Sequence, residues 1–411
     1  MKKMCILFCL TLLILNDQNL IPGEPDLPIL LIDKTVDQHA IGWKWRATPD
    51  ENIYPYLRSQ VNQLLFLNPA GEIIHQTHLL PHSKIITSQN QNYVGFIDVD
   101  EHYKIPEDQK AARGMLYHIT GYTGNEIYSI PIEVPYDDPI PALYLANNGR
   151  SILVDGYKGI VKIMESDGNL CEQIDLFEDD ILDYEKPVSC AIANEGEIFA
   201  ILAQKRPMSF DSTSSKFISG EPYLFCFDFN GKQILNKPLE LMTAAEVAIS
   251  QPGDFIVVSQ YTPEKEQKST VVNLAGEILL EVPTLFRHAK FASDQSRLAL
   301  ANRKSVYFID LNSKKFSNTI LIDENKYRMV VDLLWTQASD ELLVLTATPV
   351  FQNSRFEYIE PGVIKLNQNS DSVWEFKFKQ EKFVTTSFYT RQNQFGLGFE
   401  SNYKIYREQR E

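Results

Sequence analysis

Two hairpin patterns alternate along this chain from residue 64 to residue 399, and their strict alternation restricts the fold more than any other feature. The first is a run of alternating hydrophobics, a tight turn with Gly or a small polar pair, and a second short strand. LLFLNPAGEIIHQTHL at 64–79 sets the pattern, which returns at 116–132, 161–176, 224–240, 271–282, 306–322 and 363–378. The second has small or apolar residues, a short polar turn and a strongly apolar strand. ALYLANNGRSILVDG at 142–156 is typical, with further copies at 85–98, 188–203, 247–259, 289–301, 331–347 and 387–399. Gly71, Gly124, Gly168, Gly231 and Gly276 sit in turns of the first pattern, where a residue tolerating positive φ suits a hairpin.

Two alternating hairpins make a four-stranded unit. From the Gly71 turn to the Ser313 turn the spacing averages about 48 residues, the size of one blade of a β-propeller. Short strands at regular intervals without a long amphipathic helix agree with that reading. The expected fold is all-β: one propeller domain over 27–408, made of four-stranded antiparallel blades. The count expected is seven, with eight as the alternative. LPILLID at 27–33 and NYKIYRE at 402–408 are each strands without a hairpin mate, and pairing them would interlock the termini and remove an exposed sheet edge. In that arrangement the first blade must draw its inner strands from AIGWKWRA at 40–47 and the less regular stretch at 51–62.

In such a blade the turns within the two hairpins lie on one face of the disc. The loops between second and third strands, and the connections between blades, lie on the other. Hairpin turns here take few residues, whereas the second-to-third loops include 100–114, 204–222, 260–269 and 350–360, and the blade connections include 133–140 and 177–187. Elaboration on one face is where a rigid scaffold carries recognition residues. The candidates there are Tyr103, Tyr136, Tyr184, Arg206, Phe210, Tyr261, Phe351, Arg355 and Tyr358, since aromatics and arginine supply contact area at modest entropic cost. Each aromatic taken singly could instead fold inward to seal its own loop.

The N-terminus carries Lys2 and Lys3, an apolar run from Met4 to Leu15, and the breakers Pro22, Gly23 and Pro25. This is the grammar of a secretory signal over residues 1–22, its apolar run shorter than the ~20 residues that span a bilayer. The expected location is periplasmic or extracellular, in a bacterial cell, without membrane insertion of the mature chain. A net charge of −15 opposes binding to nucleic acid. Past the signal the chain keeps Cys171, Cys190 and Cys226, which allow one disulfide at most.

Motifs for chemistry are sparse. His75, His78 and His82 read as HxxHxxxH, but odd spacing on a strand sends His75 and His78 to opposite faces, so no metal site is assigned. Asp98, Asp100 and Glu101, and the acidic run at 178–185, offer oxygen ligands without the glycine-centred spacing of an EF-hand. No cofactor is expected, and calcium is the one ion such loops could accommodate. There is no G-x-S-x-G, H-E-x-x-H, C-x-x-C or glycine-rich phosphate loop. Catalytic residues gathered one per blade around a central channel would leave no local signature, so none is assigned.

The segments ILVDGYKGIVKIMESDGNL at 152–170 and VAISQPGDFIVVSQY at 247–261 resemble blades of the WD40-like, quinoprotein-like and TolB-like propellers. The resemblance is architectural and lacks the signature residues of any one family. It implies a fold and no activity. Two functions follow as expectations. One is an exported, non-catalytic binding or scaffold protein, a monomer or a subunit of an envelope complex, recognising a protein or glycan on its long-loop face. The alternative is a metal-dependent hydrolase or lyase with its site in the central channel.

Overall fold

The computed structural model describes residues 27–409. Excepted are 105–111, 178–188, 205–208, 262–266, 322–326, 337–340 and 384–392, and shorter gaps at 38, 51, 82, 137, 157, 196, 212, 214–215, 219–221, 240–242, 353–354 and 379–381. The signal segment expected at 1–22 lies outside the described residues. All regular structure described is β, and no helix is long and apolar enough to cross a membrane.

Eight antiparallel sheets follow one another along the chain. Blade 1 comprises Ala40–Ala47, Ile53–Ser59, Gln63–Leu67 and Ile73–His78, from the axis outward. Blade 2 has Ile86–Thr87, Tyr93–Val99, Ala112–Gly121 and Glu126–Pro135. Blade 3 has Ala142–Leu145, Ser151–Asp155, Ile160–Met164 and Leu170–Asp175. Blade 4 has Ser189–Ala193, Ile198–Gln204, Pro222–Asp228 and Gln233–Pro238. Blade 5 has Thr243–Ile249, Phe255–Tyr261, Gln267–Asn273 and Ile278–Val282. Blade 6 has His288–Phe291, Arg297–Ala301, Ser305–Asp310 and Lys315–Ile320. Blade 7 has Met329–Trp335, Leu342–Gln352, Arg355–Leu366 and Ser372–Lys377.

Blade 8 closes the ring. Its described strands are Gln394–Gly398, Asn402–Arg407 and, outermost, Ile29–Thr35 from the other end of the chain. Ile29 pairs with Arg407 and Thr35 with Asn402, so the expected interlocking of termini is present. The count is eight rather than the favoured seven. Ala40–Ala47 and Ile53–Ser59 form a complete inner hairpin for blade 1. The composite closing blade is therefore additional to the seven repeats that can be counted along the sequence.

The packing explains the sequence of each strand. Second strands such as Ile198–Gln204 are apolar almost throughout because both faces of a blade are covered by neighbours, whereas outer strands such as Leu170–Asp175 are exposed and polar. A separate apolar cluster fills each of the eight junctions between adjacent blades. At the closing junction Trp43 and Trp45 of blade 1 stack on each other and meet Tyr403 of blade 8. The turn glycines are fixed by the same packing. Gly168 has φ +85°, and a Cβ there would stand 2.9 Å from the Tyr128 ring of the preceding blade.

Candidate binding face and central channel

Alternating strand direction places all first-to-second and third-to-fourth turns on one face, the turn face. The second-to-third and blade-to-blade segments occupy the opposite face, the connection face. Two connections that read as loops are in fact β-ribbons. In blade 7, residues 350–360 continue the second and third strands until Gln352 pairs with Arg355. In blade 4, Ser209–Asp211 pairs with Lys216–Ile218 as a separate hairpin. Ribbons satisfy their own backbone hydrogen bonds and can project from the disc without a core beneath them.

The structure places the sequence candidates unevenly. Tyr136 and Phe351 are exposed, at 58% and 64%. Tyr103 folds back over Gly114, where a Cβ would collide with its ring, and burial together with Glu133 pushes its hydroxyl pKa up. Tyr358 packs on the cluster between blades 7 and 8. Phe210, Tyr261 and Arg355 occupy strand positions, paired with Phe217, Thr243 and Gln352 respectively. Tyr184 and Arg206 lie outside the described residues. The sequence reading missed Tyr327, which precedes the inner strand of blade 7 on the same face and is 87% exposed. Its isolated place in a polar stretch, DENKYR, gave no pattern to find it by.

The channel is the second feature. Inner strands of blades 2 to 6 enclose a cavity of about 310 Å³, walled by Ile86, Leu145, Ile192, Ile249 and Phe291, with Tyr144, Thr87 and Lys290 among them. At its turn-face rim an amide belt runs from blade to blade. Asn90 N–H donates to Asn147 Oδ1 at 2.8 Å, Asn147 N–H to Asn194 Oδ1 at 2.6 Å, Asn194 N–H to Gln251 Oε1 at 3.4 Å, and Gln251 N–H to Gln295 Oε1 at 3.2 Å. Gln89 Oε1 accepts from Asn194 Nδ2 at 3.2 Å, linking blades 2 and 4.

Toward the connection face the channel becomes ionic. Burial lowers the pKa of Lys44, with Asp332 opposing and Lys290 reinforcing the shift, so charges from blades 1, 7 and 6 share one neighbourhood. Burial also lowers the pKa of His288, again opposed by Asp332. The buried Asp332 accepts a hydrogen bond from Leu333 N–H at 2.9 Å, and Glu246 accepts one from Ser189 Oγ at 3.3 Å. Among the described residues no three His, Cys, Asp or Glu are grouped to hold a metal. His75 lies against Phe66 and the Gly124 turn, and His82 is outside the described residues. Asp98 and Asp100 bond the backbone N–H groups of Val99 and His102, and the acidic run at 178–185 is also outside the described residues.

Comparison with solved structures agrees with the architecture. The chain is similar to the Dos1 propeller, with 11% identity and a TM-score of 0.59 over 93% of this chain and 95% of that one. It is similar to BamB from Moraxella catarrhalis, with 8% identity and a TM-score of 0.52 over 93% of this chain and 100% of that one. Identities this low carry the fold alone. No protein-family model matches the sequence, and no curated protein matches it.

Proposed function

We propose that this chain is an exported, non-catalytic recognition propeller that holds a protein partner on its connection face. The observation that carries the reading is the exposure of Tyr136, Tyr327 and Phe351 on the one face where every lengthened connection lies. Exposed aromatics on rigid supports make contact area that loses little entropy on binding. The ribbon bearing Phe351 supplies such a support. The basic and apolar pattern of residues 2–15 supports export.

The test is co-purification of partners from the source cells with the full chain and with Tyr136→Ala/Tyr327→Ala/Phe351→Ala. A control carries Ile73→Ala/Ile234→Ala/Ile278→Ala, three exposed apolar residues of the outer strands. A protein lost from the first variant and kept by the control supports the proposal. Equal recovery by both refutes it.

A further inference from the structure

Outside the connection face, the channel cavity stands out because side-chain amides and a lysine line it while no carboxylate is part of its wall. The amide belt fixes the polarity of its rim. Of the two polar atoms of a side-chain amide only the oxygen can accept from a backbone N–H, so the oxygens of Asn147, Asn194, Gln251 and Gln295 face the belt. The oxygen of Gln89 is taken by Asn194 Nδ2. Gln89 and Gln251 each bring to the cavity they line an NH2 group with two donors.

Lys290 lines the same cavity, its backbone carbonyl fixed by the Trp335 indole N–H at 2.7 Å. Lys44 adds a second ammonium in its neighbourhood. Neither ammonium is in an ion pair among the described residues. The two carboxylates of the ionic end, Asp332 and Glu246, are not part of the cavity wall; Asp332 offsets the charge of Lys44 and accepts from Leu333 N–H, and Glu246 accepts from Ser189, which leaves Lys290 as the charge on the wall itself. Apart from Thr87 and Asn194, the rest of the wall is aliphatic or aromatic. Amide donors and a cation beside a largely apolar wall favour a ligand with an anionic head and an apolar body, and a charge-assisted hydrogen bond is about twice as strong as a neutral one.

We propose that the channel of this propeller binds a small organic carboxylate, its head held by Lys290 with Gln89 and Gln251 and its body against Ile192, Ile249 and Phe291. The cavity volume of about 310 Å³ sits at the lower end of small-molecule sites, which suits a single-ring acid better than a polymer. This site is distinct from the connection face and does not depend on the function proposed for it.

The experiment is calorimetric titration of the full chain with phenylacetate, benzoate and hexanoate, each beside its uncharged amide. The expected result is that at least one acid binds, and binds about tenfold or more tightly than its amide. Lys290→Gln abolishes that preference while leaving the melting temperature of the free protein unchanged, whereas Lys84→Gln, an exposed lysine outside the cavity wall, retains it. Failure of all three acids to bind overturns the proposal, as does equal binding of acid and amide, or a preference that survives in Lys290→Gln.

Discussion

The indole N–H of Trp43 donates to the backbone carbonyl of Phe399 at 2.8 Å, joining the first blade to the last across 356 positions of sequence. Both side chains are buried in clusters that flank the closing blade. The strand Ile29–Thr35 leads along the chain into blade 1 but belongs to blade 8, so the ring is closed by its pairing with Asn402–Arg407 and by this packing.

Trp43→Phe keeps most of the buried ring and removes the donor, leaving the Phe399 carbonyl without it in an apolar setting. The expected loss is about 1–3 kcal/mol, read from the midpoint of urea denaturation with an unchanged slope.

A second junction, between blades 7 and 8, is ionic. Lys365 pairs with Glu341 at 2.6 Å and with the buried Glu408 at 3.2 Å. Burial pulls the Lys365 pKa down, and the two carboxylates more than reverse this, so it holds its proton more tightly than an ordinary lysine. Lys365→Met leaves Glu408 without this cation and is expected to cost about 2–3 kcal/mol. Adding Glu408→Gln should recover part of the loss in a denaturation cycle.

The turn glycines separate backbone strain from free space. Gly168→Ala combines φ +85° with a Cβ 2.9 Å from a Tyr128 ring that its own hydroxyl anchors to Gly149 O at 2.7 Å. It is expected to destabilise by about 1–3 kcal/mol. At Gly42 a Cβ meets nothing within 4 Å, and Gly42→Ala should stay within about 0.5 kcal/mol of the parent.

How much was legible in the sequence follows from which features are periodic. Turn glycines and alternating strands repeat, so the blades and most of their strand boundaries could be read, as could the pairing of LPILLID with NYKIYRE. The eighth blade was undercounted because its outermost strand lies at the opposite end of the chain from its other strands, so it holds a copy of the second pattern at 387–399 but none of the first. The ribbon at 350–360 reads as a loop because its pairing residues, such as Phe351 with Phe356, lack clean alternation. The amide belt was invisible for another reason. Asn147, Asn194 and Gln251 look like ordinary turn residues until the ring closes and brings each beside the next.

The thiols respond to burial. Cys171, Cys190 and Cys226 are all free, so the one disulfide the sequence allows is not formed. Burial pushes the Cys226 thiol from its ordinary 9.0 up to about 12, and Cys190 further still. In the native protein an alkylating reagent should label the exposed Cys171 alone, faster as pH rises, and reach the other two only after unfolding.

Burial also raises the hydroxyls of Tyr117, Tyr128 and Tyr403 from 10.0 to about 12. Below pH 9.0 these groups and the buried thiols are protonated folded or unfolded, and their contribution to stability is intact. Between that pH and about 12 the unfolded chain ionises first, so stability should fall steadily across the window. A denaturation midpoint that is flat in the alkaline range would contradict this.

The central functional claim is that recognition belongs to the connection face, and site-specific photo-crosslinking in the source cells tests it most directly. A photoreactive residue is placed at 136, 327 or 351 on that face, and at 167, 230 or 369 in third-to-fourth turns of the opposite one. The expected result is a shared protein adduct at the first three positions and none at the others. Adducts confined to the turn face, or formed equally on both, would contradict it.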